Sequence, residues 1–162
     1  MDKQARAIKI ENYSQDYNQL EQLLADLPPG ARQFQAAPDM WSVTQIIVHL
    51  TDIEANNYMR YRNVVVKPGQ TVSGVDADEW AGAFDYQQQN VDEALELFRL
   101  LRTSNGRLLK FLPETIWNNL MQHTERGEIN LEQLFELQLN HINVHLNQLR
   151  ETIEVWKEQQ IG

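Results

Sequence analysis

The sequence predicts an all-α protein, specifically a four-helix bundle formed by a single domain over residues 1–162. Apolar residues recur at helical spacing in four long segments, and capping signals or prolines delimit these segments. Strand signals are limited to the β-branched run at 64–66, which lies at the end of a helical pattern and has no convincing partner. A chain of 162 residues can bury one sizeable core between four amphipathic helices.

The first predicted helix runs roughly from Asn12 to Leu27. Its tyrosines and leucines recur every three or four residues, as expected for a helix with one buried face. Pro28, Pro29 and Gly30 end the pattern, because the prolines remove backbone donors and glycine permits a left-handed turn.

The second predicted helix has the clearest start. Ser42 and Gln45 have the spacing of a capping box, and Trp41 precedes them where it can pack on the first turn. An apolar stripe begins at Val43, and the helical pattern stops before Lys67.

The third predicted helix spans about 85–112, and the fourth begins at a cap formed by Asn130 and Gln133 and runs to about Glu158. The connection at 67–84 is too long for a tight turn between antiparallel neighbours. It can cross the end of the bundle, so the second and third helices need not be antiparallel.

Composition excludes several classes of function. The formal net charge of -9 argues against a nucleic-acid partner or an anionic membrane surface, and no window approaches the ~20 apolar residues of a membrane span. The first ten residues lack the apolar core of a secretion signal, so we expect a cytoplasmic protein. Without cysteine, the chain has no thiolate metal ligand and no cysteine nucleophile.

Three of the four histidines form the main candidate site. His141 and His145 are four residues apart, so they differ by only ~40° around a helix and lie on one face. His49 lies on the flank of the apolar stripe of the second helix. If the two helices pack side by side, three neutral nitrogen ligands meet and leave an open position for a reactive divalent metal. Spacing alone leaves open the alternative that these are hydrogen-bonded core histidines.

Three other residues are weaker candidates. Asp52, one turn after His49, can orient a ligand imidazole or a bound water, or it can be a solvated acid. Arg60 continues along the same flank, where it can meet an anionic substrate group or form a surface ion pair. His123 lies in a polar connection, and we interpret it as structural or exposed rather than as a ligand.

The order of several short motifs resembles the DinB/YfiT-like metalloenzyme superfamily, and most closely its YfiT, bacillithiol S-transferase-like branch. The resemblance covers roughly residues 35–155. It is carried by the following segments: Trp41-Ser42-Val43, Val48-His49-Leu50-Thr51-Asp52, Asn56-Asn57-Tyr58-Met59-Arg60, Asp78-Glu79-Trp80-Ala81 with Asp85, His123 with Gly127, and His141-x3-His145 with Gln148.

The resemblance implies a bundle with up-down-down-up topology, whose long connection lies between helices two and three. It also implies a zinc or nickel ion on His49, His141 and His145, and a homodimer. The chain departs from the YfiT pattern where Val48 and Val144 replace doubled histidines, and where Glu54 stands at another histidine position. A particular thiol substrate therefore does not follow from the resemblance.

Three functions are compatible with this site. The YfiT resemblance favours a metal-dependent transferase, because a metal ionises a small thiol, of free pKa ~8.5, for attack on an electrophile. A metal-dependent hydrolase that uses bound water is the second, and a non-catalytic bundle that binds a small ligand is the third. In either enzyme, Asp52 or Glu54 is a candidate proton acceptor and Arg60 a candidate substrate-binding group.

Overall fold

A computed structural model describes residues 1–161. Within that range, the helices are α1 (Lys3–Leu24), α2 (Pro29–Gln33), α3 (Val43–Val66), α4 (Ala77–Ala83), α5 (Val91–Phe111) and α6 (Leu131–Ile161). Short strands β1 (Thr71–Val72), β2 (Leu120–His123) and β3 (Gly127–Asn130) form one sheet, and 3-10 turns span Tyr86–Gln88 and Glu114–Asn118. The four long helices α1, α3, α5 and α6 form the predicted bundle. No helix in the described range is long and apolar enough to cross a membrane.

The hydrogen bonds between α3 and α5 show that these two helices run parallel. Thr51 Oγ1 donates to the carbonyl oxygen of Ala94 at 2.9 Å, and further along both helices Arg62 Nη1 donates to Asn105 Oδ1 at 3.0 Å. Residues 67–90 must therefore return along the whole bundle, and they contain β1, α4 and a 3-10 turn.

The remaining helix directions follow from ion pairs of α1. Going along α1, the residues paired with α5 run in decreasing number, so α1 and α5 are antiparallel. The residues paired with α6 run in increasing number, so α1 and α6 are parallel. The pairs are Asp16–Arg102 and Glu11–Lys110 to α5, and Arg6–Glu132 and Lys9–Glu136 to α6. The topology is therefore up-down-down-up, as the resemblance implied.

Both predicted helix caps are present, and each has the reciprocal bonds of a capping box. Gln45 N donates to Ser42 Oγ at 3.2 Å, while Ser42 N donates to Gln45 Oε1 at 2.9 Å. The two reciprocal bonds between Asn130 and Gln133 are each 2.8 Å long. These caps fix the starts of the two helices that carry the histidines.

Other predicted helix boundaries were wrong. The first helix begins at Lys3 rather than Asn12, because Asp2 accepts a bond from Ala5 N at 2.8 Å and caps it. The third begins near residue 91 rather than 85, because Asn90 caps α5 by accepting bonds from two amides of its first turn.

The small sheet was not predicted. β2 and β3 form a hairpin with a three-residue loop, in which Arg126 N donates to the His123 carbonyl at 3.2 Å and Gly127 has φ of 71°. This left-handed residue after a turn is the usual closure of such a loop. β1 pairs with β2 in parallel, and this pairing joins residues that are far apart in the sequence, such as Thr71 and Gln122. The sheet packs on the end of the bundle, and it brings the hairpin beside α3 and α6.

A buried ionic cluster occupies the bundle core. The Glu54 carboxylate accepts bonds from the Tyr13 hydroxyl, from Arg102 Nη1 at 2.9 Å and from Asn105 Nδ2 at 2.6 Å. Glu54 is 2% exposed, so these bonds neutralise and satisfy a group that water cannot reach. The expectation that Glu54 can accept a proton at the histidine site was wrong, because its carboxylate is committed to the core.

Candidate metal centre

Three imidazoles meet between α3 and α6. His49 Nε2 lies 3.0 Å from His141 Nε2, which in turn lies 3.1 Å from His145 Nε2. One nitrogen from each ring can be chosen such that all three lie within 4.8 Å of one another. The structure therefore brings together the three histidines that the sequence singled out.

The spacing of these nitrogens fits a small divalent cation. A tetrahedral ion with metal–nitrogen bonds of 2.0–2.1 Å holds its ligands ~3.3 Å apart, close to the two distances between Nε2 atoms. Hydrogen bonds alone satisfy the cluster poorly, because each neutral imidazole has one proton to share. The chemistry of the donor set thus fits a metal better than a self-contained histidine cluster.

Gln148 determines the tautomer of one ring. Its side-chain oxygen Oε1 lies 2.8 Å from His145 Nδ1, so Nδ1 carries the proton and Nε2 presents its lone pair to the other histidines. His49 differs, because its Nδ1 is buried without a hydrogen-bond partner among residues 1–161.

Trp41 packs against two of the rings. Its ring centroid lies 5.0 Å from that of His49 in an edge-on arrangement, and 6.4 Å from that of His145 in a stacked one. From the sequence, the one packing contact predicted for Trp41 was with the first turn of its helix. The neighbouring histidines were not visible as its partners, because one of them comes from α6.

The environment keeps the imidazoles neutral. Burial, followed by the charges of His145 and His141, lowers the pKa of His49 to about 3. Burial and His145 also lower the pKa of His141 to about 3, and burial lowers the pKa of His145. Neutral imidazoles have the free lone pairs that a metal requires.

The histidines line a cleft of about 300 Å³. It lies between α3 and α6, and it is bordered by the segment after β1 and by the loop of the β2–β3 hairpin. Polar side chains that share this cleft with the histidines are Arg60, His123, Glu125, Arg126 and Gln138. A small molecule in the cleft can therefore contact both the imidazoles and a set of charged groups.

Asp52 does not line the cleft with the histidines. Its Oδ2 accepts a bond of 2.5 Å from the Tyr86 hydroxyl, and burial together with this carboxylate raises the pKa of Tyr86. Tyr86 packs against Trp41 with ring centroids 6.5 Å apart. Asp52 thus holds Tyr86 behind Trp41, and its connection to the imidazoles is indirect.

Arg60 and His123 both lie in the cleft. Arg60 is 8% exposed and donates to Asn57 Oδ1 at 3.3 Å and to the Ser73 carbonyl. His123, which we had interpreted as structural or exposed, is 7% exposed and comes from β2. The alternation of buried Met121 and His123 before a glycine turn was the available sequence signal for this strand.

The fold and the imidazole cluster define a helical bundle with a candidate three-histidine metal centre. The family model described as the DinB superfamily matches residues 12–149 of this chain. Since this match spans most of the sequence, the chain belongs to the DinB superfamily.

Similar proteins agree with this assignment. A relative from Halalkalibacterium halodurans, named "Putative metal-dependent hydrolase", is 28% identical over 113 residues, which are 70% of this chain and 66% of the relative. The match thus spans just under two thirds of that relative. YfiT from Bacillus subtilis, described as a probable metal-dependent hydrolase with an unusual four-helix bundle topology, superposes with a TM-score of 0.87 at 20% identity, covering 94% of this chain and 87% of YfiT.

A second solved structure shares the fold at greater distance. The mycothiol-dependent maleylpyruvate isomerase superposes with a TM-score of 0.71 and 10% identity, covering 92% of this chain and 61% of the isomerase. At these identities the two structures establish the shared fold alone.

Proposed function

We propose that this protein is a metal-dependent enzyme in which His49, His141 and His145 bind one divalent cation, zinc or nickel. We further propose that it transfers a low-molecular-weight thiol to an electrophile. The observation that carries the proposal is the convergence of three neutral imidazoles at the edge of a cleft. Two distances between their Nε2 atoms are 3.0 and 3.1 Å.

The chemistry follows from the donor set. A cation held by three neutral ligands keeps its +2 charge, and it lowers the pKa of a thiol or a water molecule at its open position. The chain contributes the orientation of the ligands: Gln148 fixes the His145 tautomer, and Trp41 packs against His49 and His145.

The acids near the site favour transfer over hydrolysis. Glu125 is the only carboxylate among the side chains that line the cleft within the described chain. Asp52 is bonded to Tyr86, and Glu54 is paired with Arg102. A thiol ionises more readily than water, so its attack requires less help from a general base. The fold likeness to a mycothiol-dependent enzyme is consistent with a thiol substrate.

Hydrolysis by a metal-activated water is the second candidate. It is supported by the names of the relative from Halalkalibacterium halodurans and of YfiT, both described as metal-dependent hydrolases. Asp52 enters either proposal as a positioning residue that acts through Tyr86 and Trp41, and Arg60 as a substrate-binding residue. A homodimer in the cytoplasm is part of the proposal on the strength of the family resemblance.

Two measurements test the proposal. Elemental analysis of protein purified without a histidine tag should give close to one zinc or nickel ion per chain. A thiol-dependent rate with an electrophilic dye should then exceed the rates with ester and amide substrates. His145→Ala should lose both metal and rate, whereas Asn143→Ala, an exposed position on the same helix, should keep both. A folded, metal-free wild-type protein that resists reloading would contradict the proposal.

A further inference from the structure

Arg60 carries a buried charge that forms no salt bridge with a carboxylate of the described chain. Its two acceptors, Asn57 Oδ1 and the Ser73 carbonyl, are neutral groups. Among residues 1–161, no carboxylate oxygen lies within 4.0 Å of its guanidinium. An unpaired buried charge is costly, so a counter-ion from outside the chain is the simplest way to satisfy it.

The other buried arginines show that this fold normally supplies such a counter-ion. Arg102, 2% exposed, pairs with Glu54 at 2.9 Å and with Asp16 at 3.4 Å. Arg6, 5% exposed, likewise pairs with two glutamates. Arg60 is the exception among them, and it is also the one that lines the cleft with the imidazoles.

His123 supplies a second donor at the same place. Its Nδ1 accepts the backbone N–H of Glu125 at 3.2 Å, so the proton of the neutral ring is on Nε2. The ring lines the cleft, and it lies close enough to Arg60 for the guanidinium to lower the pKa of His123, second to the effect of burial. An anion between these residues can accept from both.

Gln138 lies between this region and the histidines. It is on α6 one turn before His141, is 9% exposed and lines the same cleft. Its amide makes no hydrogen bond to another side chain in the described range, and its polar atoms are not among the sealed, unpartnered ones, so they face the open cleft. It is therefore free to bond to a polar group of a molecule that occupies the cleft.

We propose that Arg60 and His123 bind a carboxylate of the substrate, with Gln138 contacting the part of the molecule between that carboxylate and the histidines. The substrate is then a thiol that carries a carboxylate at a distance from its sulfur. This inference rests on the proposed function, because it assumes that the sulfur lies at the three histidines.

The helix geometry gives the approximate separation. Arg60 follows His49 by 11 residues, which corresponds to about 16 Å between their Cα atoms along a helix. Both side chains extend into the cleft from the same helix face. The Arg60 side chain leans towards His49, so the gap between its guanidinium and the imidazoles is shorter than this, and thiols of several lengths are needed to match it.

A series of thiols measures this preference directly. The protein is loaded with Co²⁺, and thiol binding is followed by the thiolate-to-cobalt absorption band. The probes are 3-mercaptopropionic, 6-mercaptohexanoic and 11-mercaptoundecanoic acid, each compared with the mercapto alcohol of the same length. We expect at least one of the three acids to bind about 10-fold or more tightly than its alcohol, as a charge-assisted hydrogen bond allows.

Variants assign the preference to the named residues. Arg60→Gln should abolish the advantage of the acid, and His123→Gln should reduce it, while cobalt content stays the same. Arg107→Gln is the matched control, because Arg107 is an exposed arginine on α5 and should leave the preference unchanged.

The outcomes separate this inference from the proposed function. If thiols produce the band but acids and alcohols bind equally, carboxylate recognition is wrong and thiol binding stands. An acid preference that persists in Arg60→Gln also overturns it. If no thiol produces the band, the proposed function fails and this inference fails with it. If Arg60→Gln does not fold, His123→Gln carries the assignment, and an acid preference unchanged in that variant overturns the inference.

Discussion

His145 Nδ1 and Gln148 Oε1 lie 2.8 Å apart, one helical turn from each other on α6. This bond fixes which nitrogen of His145 is free, because the protonated Nδ1 leaves Nε2 as the candidate ligand atom. His49 has no comparable partner for its Nδ1 in the described chain and is held by packing against Trp41. The histidines are therefore oriented by two different means.

Loss of this bond should weaken metal binding without removing a ligand. We expect Gln148→Leu to reduce metal affinity by about 10- to 100-fold, the usual effect of losing such a supporting bond. Competition with a chromophoric chelator measures the affinity. Asn147→Leu, an exposed neighbour on the same helix, serves as the control and should change the affinity little. Equal affinity in the Gln148 variant and the wild type would show that the bond does not orient the ligand.

Stability of the metal-free protein should fall as pH decreases from about 6.5 towards 3. His49 and His141 have folded pKa values of about 3, whereas the unfolded chain takes up protons on these groups near ~6.5. The unfolded state thus binds more protons in this range, so acid favours unfolding, by at most ~1.4 kcal/mol per pH unit for each histidine.

Asp16 opposes part of this effect. Burial raises its folded pKa to about 6, so the folded state binds the extra proton between about 6 and the ordinary value of 3.8. Urea unfolding at a series of pH values in the presence of a chelator measures the net slope. His49→Gln should flatten the slope, and a slope identical to that of the wild type would contradict the assignment.

Arg102 should be far more important for stability than for the metal centre. Replacing it by Met leaves the Glu54 charge buried and uncompensated, which we expect to cost about 3–5 kcal/mol of unfolding free energy. Arg107→Met on the same helix is exposed and should change this free energy by less than about 0.5 kcal/mol. Urea unfolding of the two variants compares them, and a similar small loss in both would show that the Glu54–Arg102 pair is not required for the core.

Glu125 should weaken the binding of an anionic substrate. It is exposed on the hairpin loop, lines the cleft and attracts the Arg60 guanidinium from beyond salt-bridge distance. We expect Glu125→Gln to tighten the binding of 11-mercaptoundecanoic acid by about 2- to 5-fold at low salt, since a partly screened surface charge contributes up to ~1 kcal/mol. The matched mercapto alcohol should be unaffected. A weaker acid affinity in this variant would show that Glu125 supports the site instead.

The sequence by itself determined the bundle and the metal-ligand candidates, because both depend on local regularities. The 3.6-residue period of the apolar side chains defines the four long helices, and the capping boxes at Ser42 and Asn130 define the starts of two of them. The spacing of His141 and His145 places them on one helix face without reference to the rest of the chain. The position of His49 on the flank of its helix's apolar stripe made it the third candidate, and the family resemblance added the up-down-down-up topology.

Only the tertiary structure decided the surroundings of those histidines. The pairing of Thr71 with Gln122 joins residues 51 positions apart, and no local pattern indicates it. The hairpin in this sheet brings His123 to the cleft. Packing of the long helices pairs Glu54 with Arg102 and leaves Arg60 without a salt-bridge partner in the described chain. Pairing between distant residues depends on the global packing free energy, so local periodicity predicted the scaffold and its histidines but not the groups that face them across the cleft.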